Sequence, residues 1–232
     1  MKNANLNTIK LNIIAMILTL IFIACTPLNK IDPIEYKSGD LGLSDQKSTK
    51  DIISELKEIG KYLEDRKNVY YEQIATITAE KFDFLETFTI APILIDEHNR
   101  TIMKRTLYSS LYYKKEYINT LKEILEKLNN NPKHTTILSR FFNFFLLRIQ
   151  TKLDQNLESI QKGVDNLDQE EAKSLLTNIK SNLNLKESFQ ETLNYTMEAY
   201  NKNTDNIKND TNKLAEHFNK YYEDDFSLLP VS

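Results

Sequence analysis

A single cysteine, four glycines and five prolines are spread over 232 residues, and each scarcity excludes something. One thiol cannot supply a disulfide framework, a Cys-based zinc site or a redox pair. The four glycines, Gly39, Gly42, Gly60 and Gly163, leave no glycine-rich turn, so there is no phosphate-cradling loop, dinucleotide fingerprint or GxSxG elbow. Few breakers among many Ile, Leu, Lys, Glu and Asn residues favour helix over sheet. No window shows strand alternation or a hairpin turn, and no repeat of fixed period stands out. The three histidines, His98, His134 and His217, lie far apart and lack metal-ligand spacing. They read as surface or capping residues, and acidic pairs such as Glu170-Glu171 and Asp224-Asp225 read as solvated helix ends. The chain therefore offers no catalytic, cofactor-binding or metal-ligating residue, and the expectation is a protein that is not an enzyme.

What is present begins at the N-terminus. Lys2 and Lys10 precede an apolar run, Ile13 to Ala24, that stops at Cys25-Thr26-Pro27. A basic start and a short apolar core describe a secretory signal peptide, whereas a membrane span needs roughly 20 apolar residues. Phe22-Ile23-Ala24-Cys25 resembles a bacterial lipobox in the relaxed form found in spirochaetes. Cleavage before Cys25 would leave that residue as the acylated N-terminus, with residues 1–24 removed. Each buried methylene contributes about 0.8 kcal/mol of membrane affinity and stable anchoring takes two or more chains, so a multiply acylated Cys25 would hold the protein at a membrane.

The leader carries two lysines and no acid, so its loss leaves 28 basic against 33 acidic residues, a net charge of −5. A mildly acidic, well-mixed surface argues against nucleic acid as a partner. Residues 25–48, rich in turn formers and without periodicity, read as the acylated end and a flexible tether. Such a tether spans roughly 25–30 Å on average.

From Thr49 the pattern is helical, and the expected fold is all-α: one bundle of five to seven helices over 49–232. Ile52, Leu56, Ile59, Leu63, Tyr70, Ile74 and Ile77 predict a first helix that either breaks near Thr76–Thr78 or continues to Phe88. Pro92, inside an apolar connection, ends that region. A second run is predicted from Glu97 to Asn129, stopped by Asn129-Asn130-Asn131-Pro132. A third runs from Thr135 to Asn166. Asp168, with Glu171 three residues on, predicts the capped start of another helix, and its pattern carries on to Met197. A last run covers Thr204 to Tyr222. Phe141–Ile149, apolar nearly all round, reads as the central helix of the bundle, because Ser139, Arg140, Asn143 and Arg148 interrupt it too often for membrane insertion.

The tyrosines are the candidate contact residues. Of an adjacent helical pair, one ring must face away from the buried stripe, and exposed Tyr is enriched at protein interfaces. Tyr71, Tyr113, Tyr221, Tyr222 and the nearby Phe226 are therefore the candidate protein-binding surface. The alternative reading, rings that flank the bundle with only the hydroxyl in water, stands beside it.

The leader IKLNIIAMILTLIFIAC, the following NKIDP, the stretch LDQEEAKSLLTNIKSNL and the closing HFNKYYEDDF resemble Borrelia outer-surface lipoproteins. The similar family is the paralogous group that contains the complement-regulator-acquiring, CspA-like proteins. The resemblance implies an all-helical domain anchored to the outer membrane through lipid on Cys25 and exposed on the cell surface. It also implies a host serum protein as partner: factor H, another complement component or plasminogen. Dimerisation occurs in some members, so a homodimer is a further expectation. No ligand-binding motif carries over residue by residue. The expected role is immune evasion through a complement ligand; a surface antigen acting by self-association or as a decoy is the alternative.

Overall fold

The computed structural model describes residues 47–90 and 96–231. The leader, Cys25, the tether as far as residue 46 and the connection around Pro92 lie outside them. Every element is helical among the described residues, and the six α-helices form a bundle.

Helix α1, Thr49–Ala79, starts at Ser48, whose hydroxyl accepts from the Asp51 amide at 3.3 Å. It ends where the periodicity offered a break, with Lys81 in the left-handed region. Residues 82–88 then fold back through a 3₁₀ turn, Phe84–Glu86. This segment is pinned to α2 (Glu97–Ser110) by a buried polar network. Tyr108 donates to Asp83 at 2.6 Å, and Lys104, 7% exposed, lies 2.7 Å from Asp83 and also binds Glu86. Burying an ammonium is tolerable because two carboxylates answer it.

The predicted second run is two helices. α2 stops at Ser110, and α3, Lys115–Asn129, begins after a turn in which Tyr112 and Tyr113 have φ of 52° and 56°. Bulky residues pay about 1–2 kcal/mol each for that conformation. Tertiary contacts offset it: Gln190 donates to the Tyr112 hydroxyl at 2.9 Å and Asn194 does so at 3.4 Å.

Helix α4 follows a 3₁₀ turn at Pro132–His134 and has three parts: Thr135–Ser139, a wide π segment Arg140–Leu147, and Arg148–Gly163. The π turn, closed by i→i+5 bonds, draws residues four and five apart closer to one line. Phe141, Phe142, Phe145 and Leu146 consequently all face inward with no exposed surface. α4 touches each of the other five helices, which makes it the centre of the bundle, as its composition predicts. Phe145 stacks on Phe189 at 5.8 Å, Phe142 on Phe88 at 5.6 Å, and Tyr222 meets Phe141 edge-on at 5.3 Å. Each such ring contributes about 1.5–3 kcal/mol by leaving water.

Helix α5, Gln169–Asn201, is one element of 33 residues, about 50 Å long. Its capping box is the predicted one: the Asp168 carboxylate accepts from Glu170 and Glu171 amides at 2.9 Å, and Glu171 accepts from the Asp168 amide at 3.1 Å. The last run is shorter than predicted, because Asn203, Asp205 and Asn206 adopt left-handed conformations around a 3₁₀ turn. Asn and Asp adopt that region more readily than other side chains. α6, Thr211–Tyr221, follows, capped by Asp210. At Gly60 α1 approaches α4 tightly: a Cβ there would lie 2.9 Å from Ile160 Cγ2. Among the described residues the buried apolar side chains lie between Ile52 and Leu228.

Candidate protein-binding surface

The predicted contact residues separate into three environments. Tyr71 and Phe226 are exposed, at 53% and 96%. Tyr113 and Tyr221 are half-buried, each at the edge of a concavity. Tyr222 is 1% exposed and has to be withdrawn from the surface set. Its ring packs against Phe141, Phe145, Phe189 and Phe218, and its hydroxyl pairs with Thr196 at 2.9 Å. The adjacent-pair argument correctly requires one of Tyr221 and Tyr222 to face out; the helix ends at Tyr221, and Tyr222, its C-cap, puts the second ring in the core.

Tyr221 borders an open hollow of about 440 Å³ between the end of α5, the turn at Thr204–Asn206 and α6. His217 stacks on Tyr195 at 5.9 Å and lies 4.8 Å from the Tyr221 ring. Its Nε2 is 3.0 Å from the Thr196 hydroxyl. Burial, reinforced by Lys220, pushes the imidazole down to about 4, so it is neutral at physiological pH. The hollow therefore presents aromatic faces and hydroxyls, with Lys220, Lys213 and Glu216 at its margin. Such amphipathic rings suit protein contacts.

Tyr113 borders a narrower slot between α1, α2, α4 and α5, of about 40 Å³. α1 supplies Tyr62, Arg66, Lys67 and Tyr70; α2 supplies Arg105 and Ser109; α4 supplies Gln150 and Asp154; α5 supplies Lys186. Arg105 binds Asp154 at 2.6 Å, and the Gln150 amide donates to the same carboxylate at 3.1 Å. Lys186 donates to Ser109 Oγ at 2.9 Å. Burial pushes the Lys186 ammonium down to about 7; Arg66 and Arg105 reinforce this and Glu187 opposes it. Burial also raises the hydroxyls of Tyr70 and Tyr113, which stay protonated.

The sequence reading missed Arg66, Arg105 and Lys186, which lie on three helices and share no spacing. It also left out Tyr195 and His217, neither of which belongs to an adjacent aromatic pair. Among the described residues no group of His, Cys, Asp or Glu could hold a metal, and no helix is long and apolar enough to cross a membrane.

An all-helical bundle organised around a phenylalanine-rich central helix, with tyrosine-lined concavities, has the features of a recognition domain. Residues 61–229 match the Borrelia Bbcrasp-1 domain family, and this chain belongs to that family. The resemblance carried by the leader and the closing segment thus points to the correct group. No curated protein matches the chain. Among solved structures, the membrane attack complex assembly inhibitor BGA71 from the Lyme disease agent Borreliella bavariensis is similar in fold and sequence. Its TM-score is 0.67 and its identity 33%, over 76% of this chain and 99% of that one. A native-data structure of the same inhibitor gives 0.65 and 32%, over 74% and 98%.

Proposed function

We propose that this protein is a lipid-anchored bacterial surface protein that binds a host complement component and hinders assembly of the membrane attack complex. The observation that carries this reading is the 33% identity to the assembly inhibitor BGA71 across 99% of that chain. Family membership over 61–229 supports it. The action is binding and not catalysis: the two concavities offer aromatic rings, cations and hydroxyls, the groups that make protein contacts. Cys25 carries the lipid, and residues 26–48 hold the bundle clear of the headgroups on the outer face of the outer membrane.

The decisive experiment adds purified residues 26–232 to human serum acting on erythrocytes. Dose-dependent loss of lysis, with less membrane attack complex deposited on the cells, is expected. A pull-down from the same serum, read by mass spectrometry, identifies the partner and separates a complement component from factor H or plasminogen. Undiminished lysis together with no complement protein retained would sink the proposal. Labelling with radioactive palmitate, lost in Cys25→Ala, tests the anchor. Protease shaving of intact cells tests outer-face display, and light scattering decides between monomer and homodimer.

A further inference from the structure

The chain as a whole carries a net charge of −3, yet the slot beneath Tyr113 is cationic. Arg66, Lys67, Arg105 and Lys186 face it, against one carboxylate, Asp154. That carboxylate is already committed to Arg105 and Gln150. Arg66 leans on the Tyr62 ring at 5.8 Å and, like Lys67, has no carboxylate within 4.0 Å among the described residues. Lys186 has only the Ser109 hydroxyl, a neutral partner. The contrast with Lys104 is instructive, since that buried ammonium has two carboxylates. A cation withdrawn from water without an opposite charge costs several kcal/mol. Three cationic side chains converge here with no salt bridge to a carboxylate, Glu187 acting on Lys186 only from beside it.

We propose that the slot is an anion site that receives a single carboxylate group, presented by an aspartate or glutamate side chain of a protein partner. Volume selects the ligand. One water needs about 10–15 Å³ by this measure, so 40 Å³ holds about three water-sized groups. The three heavy atoms of a carboxylate fit; a nucleotide or a sugar does not. The planar Arg66 guanidinium can grip the two oxygens together, and the ammonium of Lys186 can contribute one charge-assisted hydrogen bond. Tyr62, Tyr70 and Tyr113 wall the site, lowering the local dielectric and strengthening both interactions. The proposal rests on the protein-binding reading only for the source of the carboxylate.

The site is also pH-dependent. Lys186 faces Tyr62, Arg66, Lys67 and Tyr70 from α1, and Arg105 from α2. It further faces Tyr113 from the turn and Asp154 from α4, with Glu187 beside it on α5. Burial raises the hydroxyls of Tyr70 and Tyr113, which stay protonated. Lys186, with its ammonium held at about 7, changes charge near neutrality, so affinity falls as pH rises.

The test is an NMR titration of ¹⁵N-labelled residues 26–232 with sodium acetate, against sodium chloride at equal ionic strength. At pH 6, acetate is expected to produce saturable shifts at the Ser109, Tyr113 and Lys186 amides, and chloride none. Binding should weaken about ten-fold in Arg66→Gln, the value of one charge-assisted hydrogen bond. It should be lost in Lys186→Met and fall at least about ten-fold at pH 9. A capped Gly-Glu-Gly peptide should reproduce the shifts and its Gly-Gln-Gly counterpart should not. Arg66→Gln, on a different helix from Lys186, gives a second and independent readout. No saturable response to acetate or to the glutamate peptide, or unchanged affinity in Arg66→Gln, overturns the proposal. Response to acetate but not to the glutamate peptide overturns the partner side chain as source. Serum binding that persists in a Lys186→Met variant blind to acetate would separate this failure from that of complement binding.

Discussion

Replacing Lys186 with Met should stabilise the protein, and the gain should vanish as pH rises. In the folded state the ammonium loses its proton near pH 7, against 10.5 for the unfolded chain. The difference of about 3.5 units, at about 1.36 kcal/mol each, gives an upper bound near 5 kcal/mol. The side chain is half-buried and opens onto the slot, so solvent screening reduces this to about 2–3 kcal/mol. Met keeps the apolar stem and gives up only the bond to Ser109. Between pH 7 and 10.5 the unfolded chain binds more protons than the folded one, so wild-type stability rises with pH across that window. The penalty is complete below pH 7 and absent above 10.5. Urea unfolding of both proteins, followed by circular dichroism at pH 6, 7.5 and 9, isolates this group because all others cancel in the difference. The variant should lead by about 2–3 kcal/mol at pH 6, with the lead shrinking at each step upward. A constant gap, or a variant less stable than wild type at pH 6, would refute the reasoning.

Six other substitutions bear on the core, the caps and the surface. Tyr222→Ala should cost about 3–5 kcal/mol in chemical denaturation, while Phe226→Ala changes stability by less than about 0.5; equal effects would contradict the placement of the two rings. Ser110→Ala should raise stability by about 1 kcal/mol, because its buried hydroxyl has no hydrogen-bond partner. Asp168→Ala should cost about 1 kcal/mol and increase amide exchange in the first turn of α5, an effect that Glu171→Gln should share only weakly. Gly60→Val should lower the melting temperature by several degrees, since its side chain enters the volume of Ile160; an unchanged melting temperature would mean that α1 and α4 separate freely.

Local chemistry was readable wherever a terminus carries its own signal. The Asp168–Glu171 box and the Asn129–Pro132 stop lie where the sequence puts them. The break after Ser110 was not readable. Leu107, Leu111 and Ile118 keep helical phase across it, without glycine or proline, and two tyrosines take left-handed backbone there, Tyr112 with its hydroxyl held by Gln190 of α5. The start of α6 was blurred for the opposite reason, because Asn and Asp in the preceding turn leave the apolar period intact. As for the candidate site, aromatic pairing located the edges of both concavities through Tyr113 and Tyr221, but it does not specify which member of a pair turns inward. Arg66, Arg105 and Lys186 converge only after three helices pack, and no linear pattern encodes that.

The wide π segment of α4 has a consequence for how such a protein changes over time. One stretch of eight residues supplies the rings against which the rest of the bundle is laid, so the requirements of folding are concentrated at positions no antibody or ligand can reach. Exposed positions on α1, α3 and α6 answer to nothing in that interior. Related chains can therefore exchange whole outer faces, and with them partners and epitopes, on an unchanged frame. The frame keeps its shape whichever face is shown.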